Sequence, residues 1–209
     1  MPETSIGRLA PFMPDSTAHL ICLTGGVATG KSRVAQWFAS RGWQVLCSDE
    51  IVHHLYEPGQ PLPAEITSAF GPGMMTSEGR VDRKKLGSIV FSDPAALQRL
   101  NALVHPRVRN VWKQQLDDAA RQGRKFMTVI PLAYEADVAR EFQQAWVVGC
   151  SAAEQTKRMR ERGIEDSQIE RRLASQWPLQ KKMDRADLVI WNSGPWLVTE
   201  EQLKLIPNA

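Results

Sequence analysis

Residues 19–41 read HLICLTGGVATGKSRVAQWFASR: an apolar run, a glycine-containing turn and an amphipathic stretch. Gly25, Gly30, Lys31 and Ser32 in it satisfy the spacing G-x-x-x-x-G-K-[ST], and no other segment restricts the fold as tightly. The chain must leave a strand, turn its backbone N–H groups inward, and enter a helix near Lys31. Consecutive inward N–H groups make an anion nest, and the helix start adds the positive end of its dipole. Lys31 is the residue type that neutralises charge between β- and γ-phosphates, and the Ser32 hydroxyl is a hard oxygen ligand suited to Mg²⁺. Gly25, Gly26, Val27, Ala28, Thr29, Gly30, Lys31, Ser32 and Arg33 are therefore expected to form a phosphate-binding loop for a nucleoside triphosphate.

Strands and helices alternate around this loop. The runs HLICLT (19–24), WQVLC (43–47), FMTVI (126–130), AWVVG (145–149) and DLVIW (187–191) are nearly continuously apolar, as strands of a parallel sheet covered on both faces are. Helical periodicity covers 31–41, 82–122, 152–162, 166–176 and 197–206. Together they predict an α/β fold of three layers around a five-stranded parallel sheet, with strands one and two as near neighbours. Residues 58–123 are too many for one crossover and predict a helical excursion, with EPGQPLP (57–63) and FGPGMMTSEG (70–79) as turns. Asp93-Pro94 reads as a helix start, and His105-Pro106 as a place where the helix breaks or restarts.

The domain limits expected are a loose leader at 1–18 and a single domain at 19–209. Within it the core is 19–57, 124–150 and 186–209, the excursion 58–123, and a lid about 151–185. Translation from Met13 would also give the whole domain. The leader has three prolines, two acids and no apolar centre, so it does not read as a signal peptide. Three cysteines at unpaired spacings fit a reducing cytoplasm, and no apolar run has the length of a membrane span.

Net charge is only +3, but it is unevenly placed: Lys157–Arg185 carries nine Lys/Arg against five Asp/Glu. Arg158 and Arg162 share a helix face, and with Arg172 they are expected on a lid that closes over the triphosphate and stabilises the moving phosphoryl group. Arg160 and Arg171 read as a solvated face. A guanine-selecting N-K-x-D box is absent, and the strand FMTVI ends without the acid that mechanical ATPases use. Asp49, in VLCSDE after strand two, is the acid that would face the cleft, orient an acceptor hydroxyl and take its proton. The bland alternative is that Asp49 caps a helix at 50–56, or that Ser48 caps it with Asp49 in the first turn.

In chain order, LTGGVATGKS, VLCSDEIV, VDRKKLGSIVF, LNALVHPRV, IPLAYE, EQTKRMRERG, RLASQ and ADLVIWNSG together resemble the dephospho-CoA kinase family, from about Leu20 to Gly194. The resemblance implies a P-loop kinase fold with an acceptor-binding excursion and a lid, and Mg²⁺-dependent transfer from ATP to the ribose 3′-hydroxyl of dephospho-CoA. It implies catalytic roles for Asp49, Lys31, Arg158 and Arg162. ATP contacts extend to Asn192 and Gly194, and acceptor contacts to Arg83, His105 and Glu135. Ala28 stands where the family usually has glycine, which is tolerable if its φ is negative; Arg33 stands for threonine and Cys47 for the first Asp of an Asp-x-Asp pair.

The rivals are a nucleoside or nucleoside-monophosphate kinase and a nucleotide-binding regulatory module without transfer. No nucleic-acid motif accompanies the basic segment, and a monomer or weak homo-oligomer is expected. Trp43, Trp146 and Trp191 read as core, and Trp177 as part of the lid.

Overall fold

The computed structural model describes residues 19–207; the expected leader lies outside the described residues. Five parallel strands, β1 (His19–Gly25), β2 (Gln44–Cys47), β3 (Lys125–Val129), β4 (Gln144–Gly149) and β5 (Leu188–Trp191), form one sheet in the order β2-β3-β1-β4-β5. All pairings are parallel, with Leu23 opposite Val129 and Trp146. Strands one and two are therefore not adjacent, because β3 inserts between them. The chain steps outward from β1 one way to β2 and later the other way to β4. That reversal opens a crevice at the carboxyl ends of β1 and β3, where ligands of open α/β sheets bind.

Alternation along the central strands divides their side chains between two cores. Leu20, Cys22 and Phe126 face one apolar cluster, and Ile21, Leu23, Met127, Val129, Trp146 and Val148 face the other. The second is filled by α1 (Lys31–Ala39) and α9 (Trp196–Lys204), with Phe38, Trp43 and Trp146 in tilted and edge contacts 5.1–5.9 Å apart. Each such fully buried side chain contributes about 1.5–3 kcal/mol. Two faces buried by helices make the three layers. The edge strand β5 departs from the expected pattern: Trp191 is 41% exposed rather than core.

The first cluster is roofed by the excursion: α2 (Ser48–Leu55), α3 (Pro61–Phe70), α4 (Arg83–Ser92) and α5 (Pro94–Arg121). The segment read as the turn 57–63 instead starts α3, since prolines fit the first helical turn, where N–H groups have no partner. Asp82 caps α4 through the Lys85 N–H and Asp93 caps α5 through the Ala95 N–H, both at 2.9 Å. Each cap stabilises its helix by about 1 kcal/mol.

Pro106 does not break α5, contrary to expectation. An interior proline costs about 3 kcal/mol, but Leu100, Val104, Trp112 and Leu116 bury a continuous stripe across it. Pro106 and Ala102, the residue whose carbonyl loses its bond, are both exposed, so water meets the orphaned oxygen. After the short 3₁₀ turn Pro72–Met74, a Met75–Val81 bridge closes the loop before α4. Beyond β4 come α6 (Ala152–Glu161), α7 (Asp166–Ala174) and the short α8 (Leu179–Met183), which lead back to β5.

Candidate active site

The loop between β1 and α1 is built by close approach. At Gly25 (φ 145°) a Cβ would lie 2.3 Å from the Val148 carbonyl oxygen, and at Gly30 (φ 97°) one would lie 2.1 Å from Asn192 Nδ2. No other residue fits either position. The condition under which alanine is easily tolerated at 28 is not met: Ala28 is left-handed, with φ 58°. That conformation costs an alanine about 1–2 kcal/mol, and here it is enclosed by Met159 and Ile169 in a small apolar cluster.

The loop opens on a cleft of about 690 Å³ lined by Lys31, Ser32, Asp49, Pro131, Arg162, Trp196 and others, a size that suits a small-molecule ligand. Lys31 Nζ donates to the carbonyls of Gly26 (2.6 Å) and Gly25 (3.3 Å). Burial and then the charge of Lys182 lower its pKa to about 8, with Asp49 acting in the opposite sense. Asp49 occupies the first turn of α2, whose N-cap is Cys47 with no side-chain cap bond. Asp49 is in the first turn, as the second bland reading has it, but neither it nor Ser48 is the cap, and its exposed carboxylate lines the cleft with Lys31 and Ser32.

The two lid arginines differ. Arg162 is exposed on the cleft and makes no ion pair among the described residues. Arg158 is engaged throughout: Nε donates to Glu154, Nη1 to the carbonyls of Ala28 and Thr29, and Nη2 to that of Asn192. This geometry makes Arg158 a holder of the loop while it also lines the cleft. Arg172 is exposed and does not line the cleft. Arg160 pairs with Asp166 in two hydrogen bonds at the surface, in keeping with its solvated reading.

Asn192 and Gly194 line the opposite side of the cleft from the β5 end, and Asn192 Nδ2 donates to the Thr29 carbonyl at 2.7 Å. Arg33 is exposed and lines the cleft, where its guanidinium stacks 4.2 Å from the Trp196 ring centre.

The residues expected on the acceptor side are dispersed. Arg83 Nη1 is 3.0 Å from His53 Nδ1 and its guanidinium carbon 5.9 Å from the Tyr56 ring. Asp49, His53 and Tyr56 recur at helical spacing, so Arg83 leans on the α2 face that carries Asp49. His105 is exposed on α5, outside the residues lining the cleft. Glu135 is not free to meet a ligand through Oε1, which accepts from Lys182 Nζ and the Trp177 N–H, both at 2.8 Å. Trp177 stacks on Tyr134, with Lys181 3.7 Å and Arg185 4.9 Å from its ring centre.

Sequence reasoning missed Gln155, Gln176, Lys182 and Trp196. Gln176 ends RLASQ, a segment already singled out, and its Oε1 accepts from the Val27 N–H in the loop. Lys182 is read only as one cation of the basic segment Lys157–Arg185; its enclosure gave no signal, since a lysine is almost never fully buried.

The sequence profile of the dephospho-CoA kinase family (CoaE) matches residues 19–197. The dephospho-CoA kinase of Geobacillus kaustophilus is 38% identical over 188 residues, 89% of this chain and 94% of that protein. That of Symbiobacterium thermophilum is 39% identical over 189 residues, 89% and 79% of the two chains. Among solved structures, TT1252 from Thermus thermophilus superposes with a TM-score of 0.76 at 31% identity, covering 88% of this chain and 93% of that one. Dephospho-CoA kinase from Campylobacter jejuni gives 0.69 at 24% identity, covering 90% and 94%, a likeness of fold.

Proposed function

The chain belongs to the dephospho-CoA kinase family, and from this we propose that it transfers the γ-phosphoryl group of ATP to the ribose 3′-hydroxyl of dephospho-CoA, giving CoA and ADP in the last step of CoA synthesis. The observation that carries the chemical part of this reading is the single cleft in which Lys31, Ser32 and an uncapped Asp49 meet.

The roles follow from charge and position. The loop N–H groups and Lys31 hold the β- and γ-phosphates, and the α1 start adds its dipole. Asp49 accepts a hydrogen bond from the acceptor hydroxyl and takes its proton as that oxygen bonds to the γ-phosphorus. The bond from the γ-phosphorus to the β–γ bridging oxygen breaks, and ADP leaves with that oxygen. Arg162 is the lid cation free to meet charge on the transferring group, while Arg158, Asn192 and Gly194 shape the adenosine side. The excursion 58–123 is the acceptor side of the domain and 151–185 the lid, with Arg83 and His105 as candidate acceptor contacts.

The donor set fits Mg²⁺. Ser32 and Asp49 offer hard oxygens to the cleft, and burial pushes the neighbouring Cys47 thiol up, which keeps it from competing as a thiolate. Such an ion takes most of its ligands from substrate phosphates and water and neutralises charge on the triphosphate. Ser32 would hold it directly and Asp49 through water.

The three cysteines are unpaired, as in a protein of the reducing cytoplasm, and no helix among the described residues is long and apolar enough to cross a membrane. Phosphorus NMR of the product tests the reading: a new phosphomonoester coupled to the ribose 3′ position supports it, and phosphorylation elsewhere on the acceptor overturns it.

A further inference from the structure

Three successive carbonyls of the phosphate-binding loop are each held by a side chain from outside it. Gln155 Nε2 donates to the Val27 carbonyl at 2.7 Å, Arg158 to those of Ala28 and Thr29 at 3.2 Å, and Asn192 again to that of Thr29. All peptide bonds here are trans, so each carbonyl points opposite to the N–H that follows it. Tying back the oxygens of 27, 28 and 29 therefore turns the N–H groups of Ala28, Thr29 and Gly30 the other way. Those N–H groups have no backbone acceptor among the described residues.

The weak point of this arrangement is the Val27–Ala28 peptide. Rotating that one peptide group by half a turn would take Ala28 from its left-handed φ of 58° to a relaxed negative value. It would also aim the Val27 carbonyl into the cleft and withdraw the Ala28 N–H, so the loop would present an oxygen to the phosphates. The strain favouring the flip is of the same order as the net worth of one hydrogen bond. With glycine at this position the drive would be absent. With alanine, the side chains that grip Val27 decide the balance. Gln155, nearly enclosed on α6, holds its carbonyl, and Gln176, half-buried between α7 and α8, accepts from its N–H at 3.2 Å.

We propose that Gln155 and Gln176 are positioning residues for nucleotide binding. Gln155 grips the Val27–Ala28 peptide itself by its carbonyl, and Gln176 anchors the preceding Gly26–Val27 peptide by its N–H, so Val27 is fixed on both sides and the Ala28 N–H is held toward the triphosphate. The proposal rests on the cleft taking ATP, as read above, but not on which acceptor follows.

The test is ATP affinity by calorimetry on full-length protein without acceptor, for Gln155→Met and Gln176→Met, each alone and combined with Ala28→Gly. Each single variant is expected to bind ATP about tenfold more weakly, the loss of one hydrogen bond. The added Ala28→Gly should restore affinity to within about threefold, because glycine has no left-handed strain to release. At saturating substrates kcat should stay within about twofold while KM for ATP rises, as for lost ground-state binding. Unchanged affinity in the variants that fold, equal weakening with and without glycine at 28, or a fall in kcat at unchanged affinity would each overturn the proposal. Gln176 is half-buried, so its variant keeps the test open should Gln155→Met fail to fold. Wild-type protein that binds ATP yet leaves dephospho-CoA untouched would refute the proposed function and leave this test standing.

Discussion

Lys182 Nζ lies 2.8 Å from Glu135 Oε1 and has no exposure to solvent. The pair ties the last turn of α8 to the loop after β3, and the same ammonium donates to the Pro131 carbonyl at 3.1 Å, on the wall of the phosphate cleft. Lys182→Met would strand a largely buried carboxylate. It is expected to cost about 3–5 kcal/mol in a denaturant titration. The charge of Lys182 also lowers the Lys31 pKa, so the variant should raise it and move the alkaline limb of ATP binding to higher pH. A variant of wild-type stability with the wild-type limb would show that the pair acts on neither.

The depressed pKa of Lys31 predicts how ATP binding depends on pH. Its ammonium is needed to meet the phosphates, and in the free protein it is lost as pH rises through about 8. ATP affinity should therefore be constant from neutrality to just below that value and decline above it. Bound phosphates favour the charged form, so binding at pH near 8 should take up protons, measurable by calorimetry in buffers of different ionisation enthalpy. Flat affinity across that range would mean that Lys31 does not titrate there.

Asp49→Asn separates binding from transfer. The amide keeps the shape but cannot take a proton, so transfer should fall by about 10²–10⁴-fold, with ATP affinity changed by less than about threefold. Transfer near the wild-type rate would remove Asp49 from the chemistry.

Cys47 ends β2 two residues before Asp49, and burial raises its thiol pKa, so it offers the cleft no charge. Cys47→Asp supplies a second carboxylate beside Asp49 and should lower the Mg²⁺ concentration for half-maximal activity severalfold. An unchanged Mg²⁺ requirement would show that position 47 does not reach the metal.

The strands were legible because their apolar runs are short, separated and nearly continuous, and the loop because its spacing is demanding. Helix α3 was hidden by Pro61 and Pro63, which look like turn residues until they are seen in a first helical turn. The continuity of α5 was hidden for the related reason that a proline's cost is local, whereas the stripe from Leu100 to Leu116 that outweighs it is tertiary. The site was half legible. Lys31, Ser32, Asp49, Arg162, Asn192 and Gly194 gather as a P-loop and its neighbours predict. The grip of Arg158 and Gln155 on loop carbonyls, the burial of Lys182 and the stacking of Arg33 on Trp196 depend on which helix covers the loop, and residue types alone do not carry that.

The central claim is that this cleft moves a phosphoryl group onto one particular acceptor. It is tested most directly by following ADP release from Mg·ATP by the purified protein with dephospho-CoA, AMP, adenosine or no acceptor, and weighing the product. Release that requires dephospho-CoA and yields CoA is the predicted result. Release driven by AMP or adenosine, or none with any acceptor despite bound ATP, would contradict it.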